Sequence, residues 1–481
     1  MGTERNDMKF AARFAVIGLL YLLLFAALPA LRLEIFGAEF KLYYALRAVG
    51  FLIFCLAIWF FPRGVGQDLS VGSVTPVNTG YGDPLLTLRA MACIIVLLGH
   101  GIGIQFAPAD LIQRETLSRL FWIFLPLAWS GVWIFFTLSG YLMGKGFFTG
   151  RYSFSRSGIL NFYRNRALRI IPLAYFAILT VSIFTRPDLF KIDTIKYLVA
   201  LLMFDYDGYT PASPIGLLWS IATEMQFYAM APFLAFAIYT MAKRINFFIL
   251  PSCFVIYGVA YRLGWLYLPA AFEVQTWTVS VYTPLLGNLD AFGLGMCASF
   301  IVQRFPIKWP RLSHGLFLMA AMYIVSAALC SRAVTSQAWV LPAMYYSPSF
   351  FFIATAAIVV VFENAARSDF MPGIIYRKAI YYTQTIGILS YAIYLWHTPI
   401  FGVFAKVMFQ PIKYPDTISA FVVAGVAVMT FSWITHRMIE LPFEKMKKHI
   451  FNEDRGPRDI GGMKSARSND KPQMALPPLL G

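Results

Sequence analysis

With 481 residues, 59% of them hydrophobic and only 13% charged, and a mean hydropathy of +0.64, the chain cannot be a soluble globular protein. Its net charge of +16 does not point to a nucleic-acid partner, because Lys and Arg collect in loops on one side of the apolar segments. Five cysteines (Cys55, Cys93, Cys253, Cys297, Cys330) lie in or beside apolar runs without CxxC or metal-ligand spacing, so neither a disulfide framework nor a metal site is expected.

Apolar runs of membrane-spanning length predict an all-α, polytopic transmembrane helical bundle of about 12 spans. The first two, 11–30 and 42–61, make an N-terminal transmembrane hairpin over residues 1–61. The first has no small-residue cleavage site and reads as a retained helix, while Arg47 inside the second needs a partner or a water-filled path. Residues 62–84, with Gly, Pro and Thr, form a cytoplasmic linker. Ten further spans follow over residues 85–443: 85–106, 120–143, 166–185, 215–240, 247–264, 281–302, 315–330, 349–363, 385–409 and 416–436. An apolar stretch near 195–204 is too short to cross and is expected to be re-entrant or interfacial. Residues 444–481 mix charges with Gly, Pro and Ser, and a disordered cytoplasmic tail is expected there. Loops on the N-terminal side carry about 23 Lys and Arg against about 9 on the other, which places both termini in the cytoplasm.

The third span carries Arg89 and His100, eleven positions apart and therefore on one helix face, separated by about 16 Å along the axis. Intramembrane ionisable groups are expensive to bury and point to function. With cytoplasmic termini, Arg89 lies near the inner mouth and suits an anionic ligand, and His100 lies deeper toward the outer face, placed to act as a general base. Arg166 and Arg169, three apart, share a helix face at the cytoplasmic boundary. They can grip phosphates or simply meet anionic lipid headgroups. Glu224 in the sixth span and Asp290 in the eighth occupy similar depths, and either can orient His100 through a hydrogen bond. His397 lies near the membrane middle in the eleventh span, where packing against a neighbouring helix and a catalytic role are both open. His314, His436 and His449 receive no role.

Taken together, these segments resemble the acyltransferase-3 family of integral membrane acyltransferases. Arg89 and His100 match its Arg/Lys-x10-His motif, and the run from Gly131 through Ser139-Gly140 to Leu142 is similar to its Phe-Phe-x-x-Ser-Gly-x-Leu segment. Arg166-Ala-Leu-Arg169 resembles its Arg-x-x-Arg element. Trp219 to Glu224, Ser390 to His397, and Ile439-Glu-Leu-Pro-Phe443 complete the pattern, in the family's order.

The resemblance implies a ten-helix core that moves an acyl group, commonly acetyl, from cytoplasmic acyl-coenzyme A to an extracytoplasmic acceptor, usually a sugar hydroxyl of a glycan or lipid-linked sugar. Under it, Arg166 and Arg169 bind coenzyme A phosphates, Arg89 holds the thioester arm or an adjacent anionic group, and His100 deprotonates the acceptor. Ser139 is a candidate oxyanion donor, although a helix-packing Ser-Gly pair is the simpler reading. Glu224 is grouped with the catalytic residues, with Trp219, Asp290 and His397 in support; no metal is implied. Two features depart from the usual form. An extra hairpin precedes the motif helix, and no extracytoplasmic hydrolase-like domain follows, so direct transfer or a separate extracytoplasmic or glycan-synthesis partner is expected. The localisation expected is a bacterial inner membrane, with lipid as the surrounding partner. A proton-coupled transporter or flippase of a small anionic or lipid-linked molecule is the rival class, since intramembrane Arg, His, Glu and Asp suit it too. A serine hydrolase is disfavoured because no Gly-x-Ser-x-Gly elbow occurs.

Overall fold

Asp83 and Pro84 start the motif helix by ordinary rules: the Asp83 carboxylate accepts from the Leu85 amide at 2.9 Å, and proline takes the first turn, where its missing N–H is not needed. This helix, α1 (Pro84–His100), passes directly into a π-helical turn, Gly101–Gln105. The computed structural model describes residues 83–106, 125–185, 217–266, 277–305, 307, 311–335, 340, 342–365, 374–407 and 414–444. The expected N-terminal hairpin with Arg47, nearly all of the linker, the 195–204 stretch and the tail lie outside these residues.

Nine more long helices follow: α2 (Ala128–Phe148), α3 (Arg156–Thr185), α4 (Leu218–Met241), α5 (Ile249–Leu266), α6 (Leu289–Arg304), α7 (Leu312–Thr335), α8 (Ser347–Ala365), α9 (Ile374–Val407) and α10 (Tyr414–Thr435). No strand occurs among the described residues. Seven of the helical segments are long and apolar enough to cross a membrane, which makes the chain a multi-pass membrane protein. Each of the ten long helices corresponds to one expected span, with shifted ends. α3 begins ten residues before its expected start and α9 eleven, because the basic and aromatic residues there keep helical geometry beyond the apolar run.

The core is built around α2, which packs against α1, α4, α6 and α8. Its closest partner is α6, and the approach depends on missing side chains. A Cβ on Gly140 would meet the backbone of Phe292, and one on Gly295 would meet the Thr137 carbonyl. α2 then stops at Gly150, whose φ of 73° suits the left-handed end of a helix. Aromatic rings fill the space between, with Phe227 stacked on Phe292 and Phe136 beside both Phe292 and Trp219. α1 packs chiefly on α9. Their order of contacts, Thr87 with Thr383, Arg89 with Ser390 and His100 with His397, shows that the two run parallel. Large apolar side chains on α5, α7 and α10 face outward, among them Ile256, Phe317 and Val426, as a lipid-contacting surface requires.

Candidate active site

α1 and α9 set two polar centres at different depths. At the lower one, Arg89 donates to the Ser390 hydroxyl from Nε at 3.2 Å and from Nη2 at 2.9 Å. Ser390 itself is buried, so this bond fixes the guanidinium against α9. Arg169, Glu224 and Glu440 all interact electrostatically with Arg89, which makes the cluster a mixed one with basic and acidic members.

Ser139 on α2 donates to the Glu224 carboxylate at 2.7 Å, and Tyr228, one turn further along α4, donates to the same oxygen at 2.5 Å. The single hydroxyl proton of Ser139 is thus directed to Glu224, away from any oxyanion. Arg166 lies over the rings of Phe162 and Tyr228, at 5.9 and 5.7 Å, and its buried Nε has no hydrogen-bond partner among the described residues. Arg169 is only loosely held, 3.8 Å from Glu444, with both side chains partly exposed. Arg89, Arg166 and Arg169 therefore sit about Glu224, with an unmet donor on Arg166 and a partly exposed guanidinium on Arg169.

The second centre is at the other end of α1. His100 is partly exposed at the junction where the α-helix widens into the π turn. Its Nδ1 is 3.1 Å from Nε2 of His397, a side chain with no exposed surface. His397 Nδ1 in turn meets the main-chain carbonyls of Tyr394 at 2.8 Å and Ile393 at 3.2 Å.

The expected pairing of His100 with Glu224 or Asp290 is therefore corrected: the neighbour is His397. The reason is depth for one carboxylate and direction for the other. α2 runs antiparallel to α1, with Ala128 beside Gly99 and Gly131 beside Ala92 and Val96, which brings Ser139 and its partner Glu224 to the level of Arg89. That level is about 16 Å along the axis from His100. Asp290 points the other way, into a buried ion pair with Arg262 on α5, at 2.5 Å. Arg262 also bonds the Gly287 carbonyl and the Ser349 hydroxyl, tying α5, α6 and α8 together.

Trp219 packs against Tyr282, tilted, and edge-to-face with Phe136 on the aromatic side of α4, at the level of the aromatic core and apart from His100. Arg262 escaped the sequence reading because an arginine near the end of a span looks like one that reaches to the interface. Tyr228, Ser390 and Tyr394 also belong to the two centres or their supports. Tyr394 shares a 2.6 Å hydrogen bond with Ser220 beside His397. Their only signal was position, each within a motif and one or two turns from an ionisable residue.

Comparison with known proteins agrees with this arrangement of motifs. The O-acetyltransferase OatA of Staphylococcus aureus is 25% identical over 340 residues, covering 66% of this chain and 52% of that protein. The peptidoglycan O-acetyltransferase OatA of Listeria monocytogenes is 25% identical over 397 residues, 77% of this chain and 57% of the relative. A putative peptidoglycan O-acetyltransferase of Bacillus subtilis, YrhL, is 24% identical over 345 residues, 67% and 52% of the two chains. The chain spans about half the length of these curated relatives. No solved structure matches. The family model described as an acyltransferase domain, acyltransferase-3, matches residues 85–437, the stretch that carries α1 to α10 almost whole and, apart from Glu440 and Glu444, the residues of both polar centres, and the chain belongs to that family.

Proposed function

We propose that the protein is an O-acetyltransferase that moves an acetyl group from cytoplasmic acetyl-coenzyme A to a hydroxyl of an extracytoplasmic glycan, across a bacterial inner membrane with both termini inside. The observation that carries this reading is the axial spacing of the two centres. Three arginines gather at one level, and the partly exposed His100 stands about 16 Å from Arg89 on the same helix face. That distance suits the extended pantetheine arm of coenzyme A, with the nucleotide phosphates staying at the arginines while the thioester reaches the histidine.

Arg166 and Arg169 hold coenzyme A phosphates, a role supported by the unmet Nε of Arg166 among the described residues and by the partial exposure of Arg169. Arg89, locked by Ser390, holds the arm or an adjacent anionic group. Glu224 balances the arginine cluster and is in turn fixed by Ser139 and Tyr228. At the upper centre His100 takes the proton of the acceptor hydroxyl while that oxygen attacks the thioester carbonyl carbon. The carbon–sulfur bond breaks, and the departing thiolate recovers the proton from His100. Donor and acceptor then approach from opposite faces of the membrane and meet at His100. The names of the relatives make peptidoglycan the first acceptor to test, and a separate extracytoplasmic partner is compatible with this scheme.

Purified full-length protein in lipid, given radiolabelled acetyl-coenzyme A and peptidoglycan fragments, tests the reading. Labelled glycan should form, and both His100→Ala and Arg89→Ala should abolish it. Label retained on the protein without acceptor would replace direct transfer with an acyl-histidine route. Movement of a solute across the bilayer with no acetyl transfer would overturn the enzyme in favour of a carrier.

A further inference from the structure

The hydrogen bonds around His100 have a direction, and it can be read from the atoms that cannot donate. The carbonyls of Tyr394 and Ile393 only accept, so Nδ1 of His397, at 2.8 and 3.2 Å from them, carries a hydrogen. His397 has no exposed surface and no carboxylate bonded to it among the described residues. A second proton would make it a buried charge without a counter-ion. Its Nε2 therefore holds a lone pair. That lone pair faces Nδ1 of His100 at 3.1 Å, a contact that is attractive only if His100 Nδ1 bears the hydrogen and donates it. Of the two ring lone pairs, the one then not engaged by the other histidine is on Nε2 of His100.

We propose that His397 is a positioning residue that fixes His100 in the Nδ1–H tautomer, so that Nε2 presents the lone pair that receives the acceptor's proton. This rests on His100 acting as the base. The backbone of α9 does for His397 what a carboxylate does for the histidine of a catalytic triad: it selects the tautomer and orients the ring. When His100 gains a proton at Nε2, its Nδ1–H remains bonded to the His397 lone pair, and the same proton leaves to the thiolate, so His397 gains and loses none. The fold supports the pair from both sides. The Tyr394 hydroxyl is tied to Ser220 on α4, and the neighbouring Trp396 donates to Thr435 on α10 at 3.2 Å, which holds this turn of α9 in place.

The test uses full-length protein with 15N-labelled histidine in lipid bilayers, read by solid-state NMR. The five histidines of the chain allow the His100 signals to be identified by their loss in His100→Gln. The expected wild-type result is a protonated Nδ1 and an unprotonated Nε2 at His100. The Val96 carbonyl one turn back also bonds His100, so in His397→Phe this preference should weaken to what that carbonyl alone can hold, and in His397→Gln, which restores a side-chain acceptor oxygen, it should return in full. In parallel, His397→Phe should lower kcat by about tenfold or more while leaving KM for acetyl-coenzyme A within about twofold, and His397→Gln should recover most of the loss. A wild-type His100 protonated at Nε2, or an unchanged kcat in His397→Phe, would overturn the proposal. The wild-type NMR result needs neither turnover nor a folded variant. Failure of the base assignment shows separately, as acetyl transfer surviving in His100→Ala.

Discussion

Two arginine–carboxylate groups lie within this helical bundle, and they are satisfied in opposite ways. Arg262 and Asp290 are each 1% exposed and meet at 2.5 Å, and Arg262 also donates to the Gly287 carbonyl and the Ser349 hydroxyl. Around Glu224 the arginines are partly exposed, the carboxylate bonds two hydroxyls, and Arg166 retains a buried Nε without a partner. A directly bonded, fully buried pair holds helices together and offers a ligand no access. A partly exposed cluster, whose carboxylate is held by hydroxyls, leaves its guanidinium groups within reach of one. Intramembrane charge alone does not separate the two cases, nor does an unmet donor, since Nε of both Arg166 and Arg262 has no partner among the described residues; direct pairing and exposure do.

Substitutions can break that contrast, and the largest effect is expected on the closed side. Asp290→Ala leaves Arg262 charged and unpaired and should cost about 3–5 kcal/mol, seen as a large fall in melting temperature in detergent. The double variant Arg262→Met with Asp290→Leu should recover most of it. If the single change were harmless, the pair would not be the clasp of α5, α6 and α8. On the open side, Arg89→Ala should cut acetyl transfer by about a hundredfold or more while melting shifts little, because Arg89 bonds one serine and is partly exposed. A collapse of stability with no change in KM for acetyl-coenzyme A would place Arg89 with the structural arginines instead. Glu224→Gln keeps an acceptor for Ser139 and Tyr228, so the fold should survive within about 1 kcal/mol while turnover drops about tenfold through loss of the balancing charge. Activity equal to wild type would reduce Glu224 to packing. Smallest of all, Lys145→Ala removes a 2.7 Å pair with Glu363 whose lysine is 38% exposed, and should change stability by less than about 1 kcal/mol in a chemical denaturation series.

Much of this architecture was legible in the sequence because hydropathy reports burial in lipid, and ten apolar runs became ten helices. The ends of α3 and α9 were not legible, since hydropathy marks where lipid stops rather than where the helix does. Depth was readable along a single helix, where the eleven-residue spacing put Arg89 and His100 on one face; between helices it was not, since Glu224 lies at the level of Arg89 and not near His100. Rotation about each helix axis was not. Nothing in one sequence says that Asp290 faces α5 or that His397 faces α1, because those directions are set by packing among helices far apart in the chain. The small residues Gly140 and Gly144 were the exception, a weak hint of close approach that α6 takes up. The π turn after His100 left no periodic signal, being one residue wider over a single turn.

The parallel contact of α1 with α9 also has a consequence for how the protein is made. Arg89 and Ser390 are 301 residues apart, and His100 and His397 are 297 apart. At roughly 5–20 residues per second, a ribosome needs about 15–60 s to travel that far. For that interval the motif helix is already synthesised while the partners of its arginine and histidine do not yet exist. The nascent chain must therefore keep α1 near the insertion machinery, or shielded by α2, until the penultimate long helix arrives. Chains cut short before α9 would leave two unpartnered polar groups in the bilayer, an obvious mark for membrane quality control.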